Sequence, residues 1–219
     1  MRRLILLSGL GGDARLFSRL RLPGVETLTP AHEPPEDGEM LDAYAARLAA
    51  AHRIGPDDVV GGASFGGMLA AQIAASRPVA GLVMLGSTLS PRLLGPRARL
   101  AESVSRVLPD AALMIRVWEP FMRARFAPVT PEASAVLRAM ARDFPPLTLR
   151  RFGRMVVEWA GVARPACPGL VVHGALDRII PISCARPDLV LQDAGHCFTL
   201  THAEQTSAAV TEFLAGLPR

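Results

Sequence analysis

Lysine is absent from this 219-residue chain, and so is asparagine; all 24 basic residues are arginine. Coding bias explains both absences without any appeal to function. No basic run with interleaved aromatics occurs, and aromatics make up only 5% of the residues, so nucleic-acid binding gains no support. Long hydrophobic runs are missing too. None approaches the roughly 18–20 residues that a membrane helix needs. The opening MRRLILLSGLGG sets two arginines before an apolar stretch. That stretch is far shorter than the roughly 7–15 residues of a signal-peptide core, and no small-residue cleavage site follows clearly. It reads as a buried strand, and the protein is expected to be cytoplasmic. Cysteine is scarce: Cys167, Cys184 and Cys197 are an odd number without CxxC spacing, which argues against a disulfide framework or a zinc site. Only Cys197, beside a histidine, merits notice. There is no internal repeat or low-complexity segment.

What is present is a chain half hydrophobic, enough for a sizeable core in one domain with an inserted subdomain. Short apolar runs alternate with longer amphipathic ones, the pattern of parallel strands covered by helices. RLILLS (3–8), VETLTP (25–30), DDVVGGAS (57–64) and AGLVMLGS (80–87) read as the first four strands. Asp13 can N-cap a helix over ARLFSRLRL, and further helices are predicted near 40–53 and 66–77, the latter stopped by Pro78. The rhythm breaks at Leu89. From there to about Pro168 nothing reads as a strand, and helical segments are predicted near 92–107, 110–125, 131–143 and 146–160. Prolines punctuate them, and Thr130 before Pro131 suits an N-cap with proline at the first helical position. The rhythm resumes with GLVVHG (169–174), DLVLQDA (188–194) and a final helix near 202–215. The expected fold class is α/β, a six-stranded, mostly parallel sheet flanked by helices. Residues 1–88 and 169–219 form the core, and 89–168 form an inserted helical lid.

One strand-to-helix turn stands out. GASFG (62–66) fits G-x-S-x-G, with Ser64 at the bend. A nucleophile exposed on such a turn sits in strained backbone and requires minimal neighbours, which Gly62 and Gly66 provide. The bend also aims the free N–H groups of the following helix at developing negative charge. In a chain with 19 glycines the motif alone is weak; its place after a strand and before a helix gives it weight.

A serine hydroxyl needs a base, and the base an orienting acid. Of the five histidines, His32 in a proline-rich loop and His52 near a helix end read as solvated. His173 ends a buried strand and is expected to satisfy local backbone, and His202 starts the last helix near the surface. His196 in DAGHCF lies just beyond the last strand, at the sheet edge where catalytic groups of open α/β sheets gather. It is the candidate base. The acid should follow a strand and precede the histidine. GSTLSPR after the fourth strand has no carboxylate, whereas HGALDRIIP after the fifth has Asp177. Asp193 is too near His196 along its own strand, and Asp188 starts that strand. Asp177 also reads as a turn residue or an ion-pair partner of Arg178, but it is the favoured acid.

With these residues in place, the chain resembles the α/β-hydrolase family. LLSGLGG is similar to its oxyanion loop, GASFGG to its nucleophile elbow, HGALDRIIP to its acid loop, and AGHCFTLTHAEQ to its histidine loop and last helix. The resemblance covers most of the chain. The insertion falls where the family carries its lid, and its helices resemble lids of small carboxylesterases, C–C hydrolases and pimeloyl carrier-protein methyl ester esterases. Two departures stand out: Ser8-Gly9 replaces the usual His-Gly, and the chain begins at what resembles the third family strand. The resemblance implies a Ser64–Asp177–His196 triad, an oxyanion hole from the backbone N–H groups of Leu10 and Phe65, ester hydrolysis through an acyl-enzyme, and no metal or organic cofactor. Thioesters, carrier-linked acyl esters and lyase chemistry stay open, as does a non-catalytic binding module.

The lid carries two expectations. Trp118, Phe121 and Met122 share one helical face, which either roofs an apolar acyl pocket or packs on the core. Residues 89–168 hold 13 arginines against six acidic residues, while the remainder holds 11 against 14. A basic lid over an acidic body is either a solvated face or an attractor for an anionic acyl substrate or an acidic carrier protein. A small-molecule ester is the expected partner, with neither nucleic acid nor membrane.

Overall fold

Along the first strand, Leu4 and Leu6 enter one hydrophobic cluster and Ile5 and Leu7 another, as the two-residue period of a strand requires. Both faces of the sheet are therefore covered at its centre, which is why the inner strands read as continuous apolar runs, whereas the edge strand at Glu26–Leu28 is exposed. The computed structural model describes residues 2–90 and 124–218. The strands are β1 (Arg3–Leu7), β2 (Glu26–Leu28), β3 (Val59–Ala63), β4 (Gly81–Leu85), β5 (Gly169–Gly174) and β6 (Leu189–Leu191). Their order is β2-β1-β3-β4-β5-β6, and every pair is parallel. The chain steps outward from β1 to β2 and then returns to the other side of β1. The strand order reverses there, so a crevice opens beyond the carboxyl ends of β1 and β3.

Helix α1 (Leu41–Ala51) and helix α2 (Phe65–Ser76) cover the face carrying Ile5 and Leu7. The first nine residues of α2 are all buried except Gln72, so it has no polar stripe facing water. The insertion supplies α3 (Pro131–Asp143) and α4 (Pro146–Glu158), matching the two helices expected there. Thr130 caps α3 as anticipated, its hydroxyl accepting from Ala133 N–H at 3.2 Å. Helix α4 docks on the α1/α2 face. Phe152, Met155 and the following Trp159 join that core cluster, and Trp159 Nε1 donates to Gln72 Oε1 at 2.8 Å. Helix α3 joins the other cluster through Ala133 and Met140. The short α5 (Phe198–Thr201) leads into α6 (Ala203–Gly216), which also packs on that second face through Val210.

Two expectations need comment. The helix predicted over residues 14–22 is a single tight turn, Ala14–Phe17, although Asp13 caps it by accepting from Arg15 N–H at 2.9 Å. Tertiary partners take over beyond it: Arg21 N–H donates to Ser207 Oγ at 2.9 Å, and the Arg19 guanidinium donates to Leu200 O. The helices expected near 92–107 and 110–125 fall largely outside the described residues, and with them Trp118, Phe121 and Met122. Among the described residues no helix is long and apolar enough to cross a membrane.

Phe152 is fully buried between two aromatic neighbours, its ring centroid 4.9 Å from that of Phe65 and 5.1 Å from that of Tyr44. Phe152→Ala should lower the unfolding free energy by about 3–5 kcal/mol. Urea denaturation checks this; a change below about 1 kcal/mol would mean that α4 is not part of the core.

Candidate active site

Ser64 occupies a backbone conformation that ordinary residues avoid, φ 54° and ψ −118°. Such a position stores roughly 1–3 kcal/mol of strain and persists only where the surroundings enforce it. The enforcement is visible. Ser64 N–H donates to Leu85 O at 3.0 Å, and Ser87 Oγ donates to Ser64 O at 2.7 Å. The helix start lies so close to β1 that a Cβ on Gly66 would stand 1.9 Å from Leu7 O. A Cβ on Gly62 would stand 2.4 Å from the Gly66 carbonyl carbon. The two glycines singled out in G-x-S-x-G are therefore steric requirements of the turn.

Asp177 and His196 come together as expected. His196 Nδ1–H donates to Asp177 Oδ2 at 2.6 Å, with the aspartate side chain sealed from solvent. The other oxygen, Oδ1, accepts backbone N–H groups of Ile179 and Ile180 at 2.8 and 2.9 Å. Burial alone would raise the Asp177 pKa, but the adjoining His196, its hydrogen bond and the Ile180 N–H outweigh it and hold the group below its ordinary range. Asp177 thus adds stability above the usual carboxylate range that is lost as pH falls through its lowered native value. It is not paired with Arg178, whose guanidinium instead donates to Ala124 O. Asp193 is exposed and faces His202 Nε2 at 3.2 Å, away from this pair.

Gly86 links the serine to that pair. It lies between Leu85 and Ser87, both bonded to Ser64, and a Cβ on it would stand 3.5 Å from Asp177 Oδ2 and 3.7 Å from His196 Nδ1. The three candidate residues share one edge of the sheet, although no hydrogen bond joins Ser64 Oγ to His196 here. Such bonds often tighten only when substrate is bound. The SGLGG loop closes the other side: a Cβ on Gly9 would lie 3.4 Å from Ser64 Cβ. Ser8 Oγ donates to Gly12 O at 2.9 Å, so the serine at the usual histidine position ties the loop to itself. The N–H groups of Leu10 and Phe65 have no acceptor among the described residues. Both flank the turn that carries Ser64.

The remaining histidines correct one expectation. His32 is not solvated: Nε2–H donates to Ser8 O at 2.9 Å, and Nδ1 is sealed without a hydrogen-bond partner. Its ring lies tilted among those of Phe65, Phe152 and Tyr44, and burial lowers its pKa. A long polar loop gave no hint that one residue folds inward. His173 behaves as anticipated, donating from Nε2 to Ile180 O at 2.8 Å, with burial lowering its pKa. Cys197 is buried, and burial pushes its thiol pKa far up, which disfavours the thiolate. Phe126 was missed by sequence reading because a single aromatic in RARFAP has no periodic signature; its ring lies 5.7 Å from that of His196. Among the described residues no group of three or more His, Cys, Asp or Glu could hold a metal ion.

The strain at Ser64 has a measurable consequence. Ser64→Gly should be more stable than Ser64→Ala by about 1 kcal/mol, because glycine adopts positive φ freely and alanine keeps the strain. Thermal unfolding of the two variants checks it; equal stability would mean the turn is relaxed in solution.

Solved structures with this architecture match nearly its whole length. A thermophilic esterase from Thermogutta terrifontis, in its malate-bound form, is 22% identical, with a TM-score of 0.80 over 98% of this chain and 90% of that one. The hydrolase olei00960 from Oleispira antarctica is 14% identical, with a TM-score of 0.74 over 99% and 92%. The esterase EaEST from Exiguobacterium antarcticum is 14% identical, with a TM-score of 0.73 over 99% and 92%. No curated protein matches the sequence significantly. The family model described as "Alpha/beta hydrolase family" matches residues 4–209. With nearly the full length matched, the chain belongs to the alpha/beta hydrolase family.

Proposed function

We propose that this protein is a serine hydrolase that cleaves carboxylic esters of small or medium acyl groups through an acyl-enzyme at Ser64. The observation that carries the reading is the strained serine turn facing a buried, hydrogen-bonded Asp177–His196 pair. Esterases among the structural relatives agree with it at the level of fold. In this reading Ser64 Oγ attacks the acyl carbon while His196 Nε2 takes the hydroxyl proton, leaving a tetrahedral oxyanion. The N–H groups of Leu10 and Phe65 receive that charge, aided by the positive end of α2. Collapse of the intermediate breaks the ester C–O bond, and His196 returns the proton to the departing alcohol. Water, deprotonated by the same imidazole, then attacks the acyl-enzyme and releases the acid. Asp177 holds the imidazole with its proton on Nδ1 and stabilises the imidazolium.

Residues 89–168 act as the lid in this scheme, over a core of residues 1–88 and 169–219. The lid's 13 arginines against six acidic residues favour a substrate that is itself anionic or borne on an acidic carrier protein. A thioester or a carrier-protein-linked acyl ester is the alternative substrate, lyase chemistry on the same scaffold a further one, and Trp118, Phe121 and Met122 are the candidate lining of the acyl pocket.

A panel of acyl esters and thioesters of graded length tests the reading. Ser64→Ala and His196→Ala should each lose at least about a thousandfold in turnover. Asp177→Asn should be strongly impaired, and Asp193→Asn close to wild type. A fluorophosphonate should label wild type at Ser64. Near-normal activity of Ser64→Ala would remove the serine from the mechanism, and the reverse ranking of the aspartates would identify the wrong acid.

Attraction to the lid should show separately. With a Debye length of about 8–10 Å at physiological salt, kcat/KM for an anionic ester should fall as salt rises while kcat holds. A neutral ester should show little change. Equal salt dependence for the two would reduce the lid's charge to a solvated surface.

A further inference from the structure

His32 is a half-buried imidazole that the proposed reaction does not use, yet it touches both flanks of the candidate oxyanion hole. On one side its Nε2–H donates to the Ser8 carbonyl, 2.9 Å away. Ser8 is wholly buried and leads directly into Gly9 and Leu10. Holding its carbonyl oxygen fixes the plane of the Ser8–Gly9 peptide, one peptide before the Leu10 N–H. On the other side the ring stands 5.8 Å from that of Phe65, whose N–H is the second candidate donor. The Ser8 carbonyl also presses on the start of α2, since a Cβ on Gly66 would come within 2.6 Å of it. One hydrogen-bonded oxygen thus sits where the loop meets the serine turn.

The loop that carries His32 is itself held in place. Tyr44 Oη donates to Glu33 O at 3.0 Å, immediately after the histidine. Phe152 of α4 closes over the ring with centroids 5.2 Å apart. His32 Nδ1 is sealed without a hydrogen-bond partner in this aromatic surround. A proton there would be an unsatisfied buried donor, so the neutral ring with its proton on Nε2 is the form this site accepts. The same tautomer supplies the bond to Ser8.

We propose that His32 is a positioning residue for the oxyanion hole: its Nε2–H holds the Ser8 carbonyl while its ring abuts Phe65, so that one neutral imidazole sets both N–H donors. This rests on the serine-hydrolase reading of the site. His32 makes no contact with the reacting atoms and acts only through the peptide groups that do.

The test compares two amides in the full-length protein. His32→Gln places a side-chain N–H where Nε2 lies, whereas His32→Asn is too short to reach Ser8 O. With a neutral p-nitrophenyl ester, His32→Asn should lose about 10- to 100-fold in kcat, with KM within about twofold. That is less than the roughly 10²–10³ lost when an oxyanion donor is removed outright. Inhibition by phenylboronate, which adds to the serine as a tetrahedral anion, should weaken in the same proportion. His32→Gln should recover to within about threefold of wild type in both. Equal behaviour of the two variants, or a loss confined to KM, overturns the proposal. Nitrogen-15 NMR of histidine-labelled wild type gives an arm that needs no variant to fold. The His32 proton must reside on Nε2, and a proton on Nδ1 overturns the proposal as well. Fluorophosphonate labelling of wild type at Ser64 keeps the two ideas apart. Without labelling the hydrolase reading fails, whereas with labelling and indistinguishable Gln and Asn variants only the role of His32 fails.

Discussion

The start of α2 is driven so close to the end of β1 that residue 66 cannot carry a Cβ, which would lie 1.9 Å from Leu7 O. That approach governs much else in the molecule. It forces the chain to turn from β3 into α2 within one residue, and Ser64 absorbs the turn at φ 54°. It brings the Ser8–Gly12 loop against the serine, because that loop continues directly from β1. The Phe65 N–H, the first of α2, has no helical partner, as in the first turn of any helix. A looser crossing would relax Ser64 and part the Ser8–Gly12 loop from the serine turn.

Burial organises the opposite side of the site. Asp177 is wholly enclosed, and a carboxylate so placed must have every lone pair answered or else take up a proton. His196 and the N–H groups of Ile179 and Ile180 answer them, while His173 holds the Ile180 carbonyl and so the loop around Asp177. The aspartate remains charged because its partners favour the anion more strongly than burial disfavours it. His173 and His32 illustrate the reverse balance: burial dominates both and lowers their pKa. Both fit neutral rings that donate one hydrogen bond to a backbone carbonyl. Two histidines thus serve as fixed donors to backbone carbonyls, whereas the third, His196, is held by Asp177.

The described part of the insertion is welded to the core. Helix α4 places Phe152 and Met155 in the cluster built by α1 and α2, and Leu149 reaches within 3.6 Å of the position a Cβ would take on Gly11. Arg125 donates to Arg178 O beside the acid, and Phe126 leans on His196. The insertion therefore meets the loops that carry Gly11, Asp177 and His196. Distortion of this segment would be felt by each of those loops.

Strands buried on both faces, glycines flanking a serine and a carboxylate in the loop after β5 are local patterns, and they were legible without coordinates. So were the six strands and the helices α3 and α4, and with them the placing of the candidates Ser64, Asp177 and His196 in loops at one edge of the sheet, because strand-to-helix alternation dictates which loops meet at the carboxyl edge of a parallel sheet. The tertiary structure alone decided matters that depend on distant partners. The helix expected at residues 14–22 ended after one turn because Ser207 took the Arg21 N–H. His32, which reads as solvated in a loop of prolines and acidic residues, turned inward because Ser8 O and three aromatic rings awaited it. Phe126 has no periodicity to announce it and reaches His196 only once the chain has returned from the insertion. Periodicity and turn chemistry are properties of neighbours along the chain, whereas a hydrogen bond between residues 8 and 32 exists only when the fold brings them together.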